Sequence, residues 1–176
     1  MFETNKKYNV TQGTHKVTND PDEILASVLG SCIAVCAVDP VLKIGGMNHI
    51  LLPGQFSDIA STNEHMYAAN LMELLLNDLF KMGATKQSLE LKIFGGASVL
   101  ETAINVGQNN IDFIMNFTQV ENLIVKSSSL GGNLGRRVEF HPYSGKSRQK
   151  FLHGVDNSTA PAPVTKPDEG GSLELF

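Results

Sequence analysis

Residues 31–52 read SCIAVCAVDPVLKIGGMNHILL, and this stretch predicts a single β-hairpin. Its first arm, residues 31–38, is an apolar and partly β-branched run of the kind found in buried strands. Its second arm covers residues 44–52. Between the arms, Asp39 followed by Pro40 is typical of a type I turn. Such a hairpin can bring a thiol from one arm beside an imidazole from the other.

The register of this hairpin determines whether the two groups meet. If the turn over residues 39–42 is centred between Pro40 and Val41, then Val38 faces Lys43 and Cys32 faces His49. Directly opposed residues point to the same face with Cβ atoms about 5 Å apart, which would bring the sulfur within hydrogen-bonding reach of a ring nitrogen. A one-residue slip would put the two side chains on opposite faces instead. Geometry read from the sequence leaves both registers open.

The composition describes a globular protein. The chain has 176 residues, of which 41% are hydrophobic and 18% charged, and this balance supports one packed domain over residues 1–152. A net charge of −4 argues against a general nucleic-acid binder, which needs a basic surface. We also expect no membrane insertion, because no apolar run approaches about 18 residues. Residues 1–7 have no apolar stretch behind their lysines, so we expect no signal peptide and a cytoplasmic location.

Strands outnumber helices in the predicted pattern. Two main helices are expected over residues 62–82 and 107–118, the first with Ser61 as N-cap and Gly83 in the left-handed position after its end. Residues 97–104 are compatible with a short third helix. Tight turns between the strands favour an α+β fold of layered α/β type, with a central mixed, largely antiparallel sheet. Residues 153–176 are rich in Pro and Gly and predict a flexible tail. The predicted strands outside the hairpin lie within residues 8–17, 89–94, 123–126, 137–141 and 147–152. The predicted apolar stripes are Tyr67, Leu71, Leu74, Leu75, Leu79 and Met82 on the first helix, and Ile111, Ile114, Met115 and Phe117 on the second.

The two cysteines, Cys32 and Cys36, are expected to be free thiols. On a strand they would be about 13 Å apart, whereas a disulfide needs Cα atoms within about 7 Å. A buried cysteine acting as a small apolar residue is the plainer interpretation of both. Cys32 fits it less well, because Gly30 and Ser31 precede it and place it at the mouth of a strand, where functional residues concentrate.

His49 lies in an otherwise apolar strand and therefore needs a hydrogen-bond partner. It is either a core histidine bonded to a backbone carbonyl or a base beside the Cys32 thiol. In the second case a neighbouring imidazolium would lower the pKa of the thiol and favour a nucleophilic thiolate. Gly45 and Gly46 either clear space for a substrate side chain or form a bulge.

We predict neither a metal nor a cofactor. The run GGNLG at residues 131–135 is followed by Arg136 and Arg137, but it lacks the spacing and the Lys-Ser/Thr ending of a phosphate-binding loop. A structural turn with surface arginines is therefore expected. The remaining histidines show no metal-ligand spacing with one another.

Five blocks of this sequence together resemble the CheD family of chemoreceptor glutamine deamidases. The first two are the most specific: LGSCIAVC at 29–36 with DP at 39–40, and GGMNHILLP at 45–53. The others are LKIFGGA at 91–97, VGQNNIDF at 106–113 and GGNLGRRV at 131–138. The resemblance runs in order from about residue 8 to residue 152.

The resemblance implies a cytoplasmic bacterial enzyme of chemotaxis with a CheD-like deamidase fold. It would hydrolyse selected glutamine side-chain amides of chemoreceptors to glutamate and ammonia, with Cys32 as nucleophile and His49 as base. The family usually has a threonine six residues before the cysteine to orient the histidine. That position is Ala26 here, so Ser27 or a backbone carbonyl would take the orienting role. Binding of a CheC-type phosphatase is also implied.

Four residues are weaker candidates for substrate binding or for stabilising the oxyanion of the reaction. They are Gly30, Ser31, Gly45 and Gly46. Two other functions compete with the deamidase. The first is a non-catalytic adaptor that binds a phosphatase or receptor through the same groove, which the change at Ala26 favours. The second is a cysteine protease or transamidase, since thiol–imidazole chemistry serves both.

Overall fold

The computed structural model describes residues 6–52, 58–98 and 106–152, with the side chains of residues 58–64 left outside the description. These residues form nine strands and two helices. In chain order they are β1 (Lys6–Asn9), β2 (His15–Thr18), β3 (Glu23–Leu29), β4 (Ile33–Asp39), β5 (Ile44–Ile50), α1 (Asp58–Lys81), β6 (Glu90–Gly95), α2 (Val106–Val120), β7 (Ile124–Leu130), β8 (Arg136–His141) and β9 (Lys146–Phe151).

The strands form two sheets, with orders β1-β3-β8-β9 and β2-β5-β4-β6-β7. Neighbouring strands are antiparallel except in the pairs β1–β3 and β6–β7. The predicted class, α+β with two main helices and mixed, largely antiparallel pairing, is confirmed. The division into two sheets did not follow from the sequence, because an alternating pattern identifies a strand but not the strand beside it.

Strand β4 lies at the centre of the five-stranded sheet, and all seven of its residues are buried. Successive strand side chains point to opposite faces. Accordingly, Ile33 and Val35 pack with the helices in one apolar cluster. Ala34 and Cys36 pack instead with residues of the four-stranded sheet, such as Leu25, in a second cluster. The five-stranded sheet is thus covered by helices on one face and by the other sheet on the opposite face.

Helix α1 begins earlier than predicted. It starts at Asp58, so Ser61 lies inside the helix and the predicted N-cap is wrong. The end is as predicted: Gly83 has φ 103°. In addition, the Ala84 N–H donates to the Leu79 carbonyl at 3.1 Å, which closes the last turn.

The apolar stripes of the helices are narrower than predicted. Leu71, Leu75 and Leu79 of α1 are buried, whereas Tyr67, Leu74 and Met82 are exposed. In α2 the predicted burial of Ile114 is confirmed and Ile111 and Phe117 are partly buried, but Met115 is exposed. A helix that packs on a single sheet face buries only the positions that point at that sheet, and this accounts for the difference.

The remaining segment predictions are mostly confirmed. Residues 8–17 overlap β1 and β2, which begin and end outside that range and are separated by Gly13 with φ 76°. Of the predicted short helix, Ala97 and Ser98 are not helical and the other residues lie outside the described part of the chain. The predicted tail, 153–176, also lies outside it. Neither described helix combines the length and apolar character of a membrane span.

The glycine run before β8 is a structural turn, as predicted, but one of its arginines is not on the surface. Arg136 is 2% exposed. Its guanidinium donates to the Ser129 carbonyl at 2.5 Å and also to the Gly131 carbonyl. Arg136 therefore holds the end of β7 and the start of the turn together from inside.

Candidate active site

Cys32 lies one residue before β4, at the mouth of the strand as predicted. It is half-buried and packs against the cluster that contains Ala34 and Cys36, so its side chain points into the space between the sheets. Both cysteines are free thiols, which confirms the prediction. Cys36, at 0% exposure, is a core residue, whereas Cys32 is partly exposed to solvent.

The predicted pairing of Cys32 with His49 is wrong by two residues. His49 lies opposite Ala34, and the hairpin closes with Asp39 opposite Ile44. The loop is longer than a two-residue turn because Lys43 adopts a left-handed conformation, with φ 56°, and donates its N–H to the Asp39 carbonyl at 2.9 Å.

A shift of two residues keeps the side chains on the same face, unlike a shift of one. His49 is opposite Ala34, and Cys32 precedes Ala34 by two positions on that face. Cys32 is therefore a diagonal neighbour of His49, not its direct partner. The thiol and the imidazole share the space between the two sheets.

The His49 ring is held by the other sheet. Its Nδ1 lies 2.8 Å from the Ser27 Oγ and 3.3 Å from the Val10 carbonyl oxygen. The Ser27 hydroxyl donates to that same carbonyl at 3.0 Å. Because its only proton is used there, the Ser27 oxygen accepts a hydrogen bond from the His49 Nδ1–H. This assigns the tautomer with the proton on Nδ1 and a free lone pair on Nε2.

Ser27, and not Ala26, makes this contact because strand side chains alternate. Ser27 of β3 points between the sheets, whereas Ala26 points to the other face of its sheet. The alternatives named from the sequence, Ser27 or a backbone carbonyl, are both present, since Val10 supplies the carbonyl. No local pattern pointed to Val10, because its approach to His49 depends on the packing of two sheets.

The other ring nitrogen, Nε2, is buried and has no hydrogen-bond partner in the part of the chain that the structure describes. Consequently no hydrogen bond joins it to the Cys32 thiol, and the predicted direct bond is not formed. A buried nitrogen lone pair without a partner is costly and unusual. In enzymes, catalytic hydrogen bonds are often long without substrate and tighten in the complex.

Burial sets the charge states of the pair. It raises the pKa of the Cys32 thiol, while the backbone amides of Cys32 and Gly30 act in the opposite direction. It lowers the pKa of His49, against an opposing contribution from the Val10 carbonyl. Both directions favour a neutral thiol beside a neutral imidazole. The expectation of a thiol pKa lowered by an imidazolium is therefore not met in the resting protein.

The backbone around the thiol is fixed by the segment that follows β6. The Ala97 N–H donates to the Gly30 carbonyl at 2.9 Å, and the Gly96 N–H donates to the Cys32 carbonyl at 2.8 Å. Gly95, at φ 118°, has no room for a side chain because a Cβ atom there would overlap the Cys32 carbonyl oxygen. The segment formed by Gly30 and Ser31, directly before Cys32, is thus held rigidly beside the thiol.

Gly45 and Gly46 lie at the turn end of the hairpin, opposite Val38 and Ala37 and away from Cys32. A Cβ atom on Gly45 would lie 2.8 Å from the Ala37 carbonyl oxygen, and one on Gly46 would lie 2.7 Å from that of Lys16. The protein's own atoms therefore occupy the space that these glycines leave. Their pairing is regular, so they form no bulge, and we assign them to packing.

Asn110, a buried residue near the site, was not among the residues predicted from the sequence. Its side-chain amide contacts the Ser31 carbonyl and the Leu52 N–H, which lie on either side of the thiol–imidazole pair in the chain. The described residues contain no group of three or more His, Cys, Asp or Glu side chains that could hold a metal. At this site the structure brings together a thiol, an imidazole and backbone amides.

The family description "CheD chemotactic sensory transduction" matches residues 51–151. Three relatives carry the name "Probable chemoreceptor glutamine deamidase CheD". The relative from Agrobacterium fabrum strain C58 is 44% identical, with 97% of each chain covered. The relative from Rhizobium rhizogenes strain K84 is 46% identical over 98% of this chain and 97% of its own. The relative from Caulobacter sp. strain K31 is 45% identical over 97% of this chain and 93% of its own.

Among solved structures, a Neisseria meningitidis protein of family DUF152 is similar at 9% identity, with a TM-score of 0.41, over 73% of this chain and 63% of its own. The family match and the full-length relatives agree with each other. This chain belongs to the CheD family.

Proposed function

We propose that this protein is a protein-glutamine deamidase that converts selected glutamines of chemoreceptors to glutamate and releases ammonia. In this proposal Cys32 is the nucleophile, His49 is the general base and acid, and Ser27 orients the imidazole. The relatives named chemoreceptor glutamine deamidase support the substrate. The observation that carries the mechanism is the His49 Nε2, which is buried on the face that Cys32 shares and has no hydrogen-bond partner among the described residues.

The first step forms a covalent bond between protein and substrate. As the Cys32 sulfur attacks the amide carbon of the glutamine side chain, its proton passes to the His49 Nε2. The carbonyl oxygen of the substrate then carries the negative charge. The imidazolium formed keeps its Nδ1–H bonded to Ser27. A neutral Cys32 thiol and a neutral His49 in the resting protein suit this order of steps, because the proton moves only when the carbon–sulfur bond forms.

Backbone amides at Gly30, Ser31 and Cys32 are candidates to stabilise the oxyanion. The Gly30 carbonyl, which shares its peptide unit with the Ser31 N–H, accepts the Ala97 N–H, and the Cys32 carbonyl at the end of this segment accepts the Gly96 N–H. Preorganised donors of this kind are typically worth about 3 kcal/mol each in the transition state.

The second half of the reaction releases both products. The tetrahedral intermediate collapses, its carbon–nitrogen bond breaks, and ammonia leaves with the proton from His49. A water molecule then attacks the thioester and gives one proton to His49. The carbon–sulfur bond breaks, and the receptor leaves with a glutamate side chain. The Cys32 thiol regains its proton from His49.

The product places a new negative charge on the receptor where a neutral amide stood. Such a change can shift the equilibrium between signalling states of the receptor. Residence in the cytoplasm, where receptor signalling domains lie, and binding of a CheC-type phosphatase remain predictions that follow from the family.

The direct test is incubation of the purified protein with cytoplasmic fragments of the organism's own chemoreceptors, followed by ammonia measurement and peptide mass analysis. We expect ammonia release and the mass change of amide-to-acid conversion at a small set of glutamines. Binding of the fragments without any mass change would support the adaptor instead. Cleavage of the fragments, or cross-linking to amines, would indicate the protease or the transamidase.

A further inference from the structure

We propose that Asn110 is a positioning residue that aims the backbone N–H of Cys32 at the oxyanion of the reaction. This inference rests on the proposed deamidase function and adds a fourth side chain to it. Asn110 lies in α2, far along the chain from the hairpin, and its side chain is 0% exposed.

The Asn110 amide uses both its donors and its acceptor. Its Nδ2 donates to the Ser31 carbonyl at 3.0 Å and to the Val106 carbonyl at 2.9 Å. Its Oδ1 accepts the Leu52 N–H at 2.8 Å. One side-chain amide thus bonds both Ser31, which precedes Cys32, and Leu52, which follows His49, and so connects both to α2. An aspartate could accept from Leu52 but, when ionised, could not donate to Ser31.

The bond to the Ser31 carbonyl fixes the direction of the next N–H. The Ser31 carbonyl and the Cys32 N–H belong to one planar trans peptide, so they point in opposite directions. With the carbonyl held toward α2, the N–H is turned to the other side. The Cys32 N–H belongs to the residue that carries the sulfur, and the Cys32 and Gly30 amides both act, against burial, to lower the pKa of the thiol. A substrate carbonyl attacked by that sulfur would meet the same donors.

The Ser31 carbonyl differs from its neighbours in how it is held. Main-chain N–H groups hold the Gly30 and Cys32 carbonyls, so neither of those two bonds depends on a side-chain donor. The peptide unit that carries the Cys32 N–H depends on the Asn110 side chain. A donor to the carbonyl oxygen also polarises the peptide and strengthens its N–H as a donor.

The test compares Asn110→Asp with Asn109→Asp, a matched change at the exposed neighbouring residue of the same helix. Steady-state deamidation of a receptor fragment gives kcat and KM for wild type and both variants. Alkylation by iodoacetamide, which forms no oxyanion, is followed at Cys32 and at the buried Cys36 in the same preparations. Asn110→Ser removes the donor to Ser31 without adding charge and replaces Asn110→Asp if the latter does not fold.

We expect kcat to fall by about 10- to 100-fold in the Asn110 variant, a part of the loss that removal of an oxyanion donor causes, with KM unchanged. Cys36 should stay protected from alkylation and Asn109→Asp should match wild type. An unchanged kcat in a folded Asn110 variant would overturn the inference. So would a rise in KM with exposure of Cys36, which would indicate a merely structural role. An inactive wild type with intact Cys32 alkylation would count against the deamidase itself.

Discussion

Replacing Ser27 by alanine removes one hydrogen bond from the His49 ring and leaves another in place. The Ser27 Oγ is lost, but the Val10 carbonyl remains 3.3 Å from Nδ1. The imidazole therefore keeps an acceptor for its Nδ1–H and keeps its tautomer. Since Ser27 is 5% exposed, little water can replace the missing hydroxyl.

The expected size of the effect follows from the change in charge during the reaction. A hydrogen bond between neutral groups contributes about 0.5–1.5 kcal/mol, whereas one to a charged group contributes about 1.5–3 kcal/mol. His49 is neutral at rest and positive when the thiol has lost its proton. Only the difference, about 1–1.5 kcal/mol, accelerates the reaction, which corresponds to a fall in kcat of about five- to tenfold.

The assay is steady-state ammonia release from a receptor fragment, with thermal melting as a check on folding. Ser27→Thr keeps the hydroxyl and should retain most of the wild-type kcat. A kcat for Ser27→Ala equal to that of wild type would refute the orienting role. A loss of kcat beyond about 1,000-fold would show that Ser27 does more than orient the ring. One hydrogen bond cannot contribute that much while the Val10 carbonyl remains as an acceptor.

Three further predictions concern the thiol, the base and the glycine beneath them. Near neutral pH, iodoacetamide should modify Cys32 at least about tenfold faster than Cys36, because Cys36 is sealed in the core and burial raises its pKa strongly; equal rates by peptide mass analysis would contradict the assignment. Because burial lowers the pKa of His49, the base stays neutral to a pH below its ordinary value of about 6.5; the acid limb of a pH–kcat/KM profile should therefore lie below that pH, and a limb above it would contradict a neutral resting pair. Gly95→Ala should lower both stability and kcat, since its Cβ would overlap the Cys32 carbonyl; Gly132→Ala, with a left-handed φ of 78° but open space around it, is the control for backbone strain and should cost only about 1–2 kcal/mol with kcat unchanged.

The hairpin itself could be predicted because both arms are apolar runs and the turn has a strong local signal. Its register could not, because Lys43 adopts a left-handed conformation that its residue type does not favour. The predicted register was nevertheless wrong by an even number of residues. For that reason the inference that Cys32 and His49 share a face was confirmed, while their direct opposition was not.

The parts of the site that come from distant elements were less visible in the sequence. Ser27 was named only as a substitute for a missing threonine, and its bond to His49 depends on one sheet packing over the other. The Val10 carbonyl and the Asn110 amide reach the site from β1's end and from α2. Local patterns identify strands and helices, but contacts between them depend on the order of strands in each sheet.

The proposed deamidation depends on the Cys32 sulfur as nucleophile. Its most direct test is peptide mass analysis of chemoreceptor fragments after incubation with wild type, Cys32→Ala or Cys36→Ala, two identical substitutions four residues apart. We expect amide-to-acid conversion with wild type and with Cys36→Ala, and none with Cys32→Ala. Full conversion by a folded Cys32→Ala protein would contradict it.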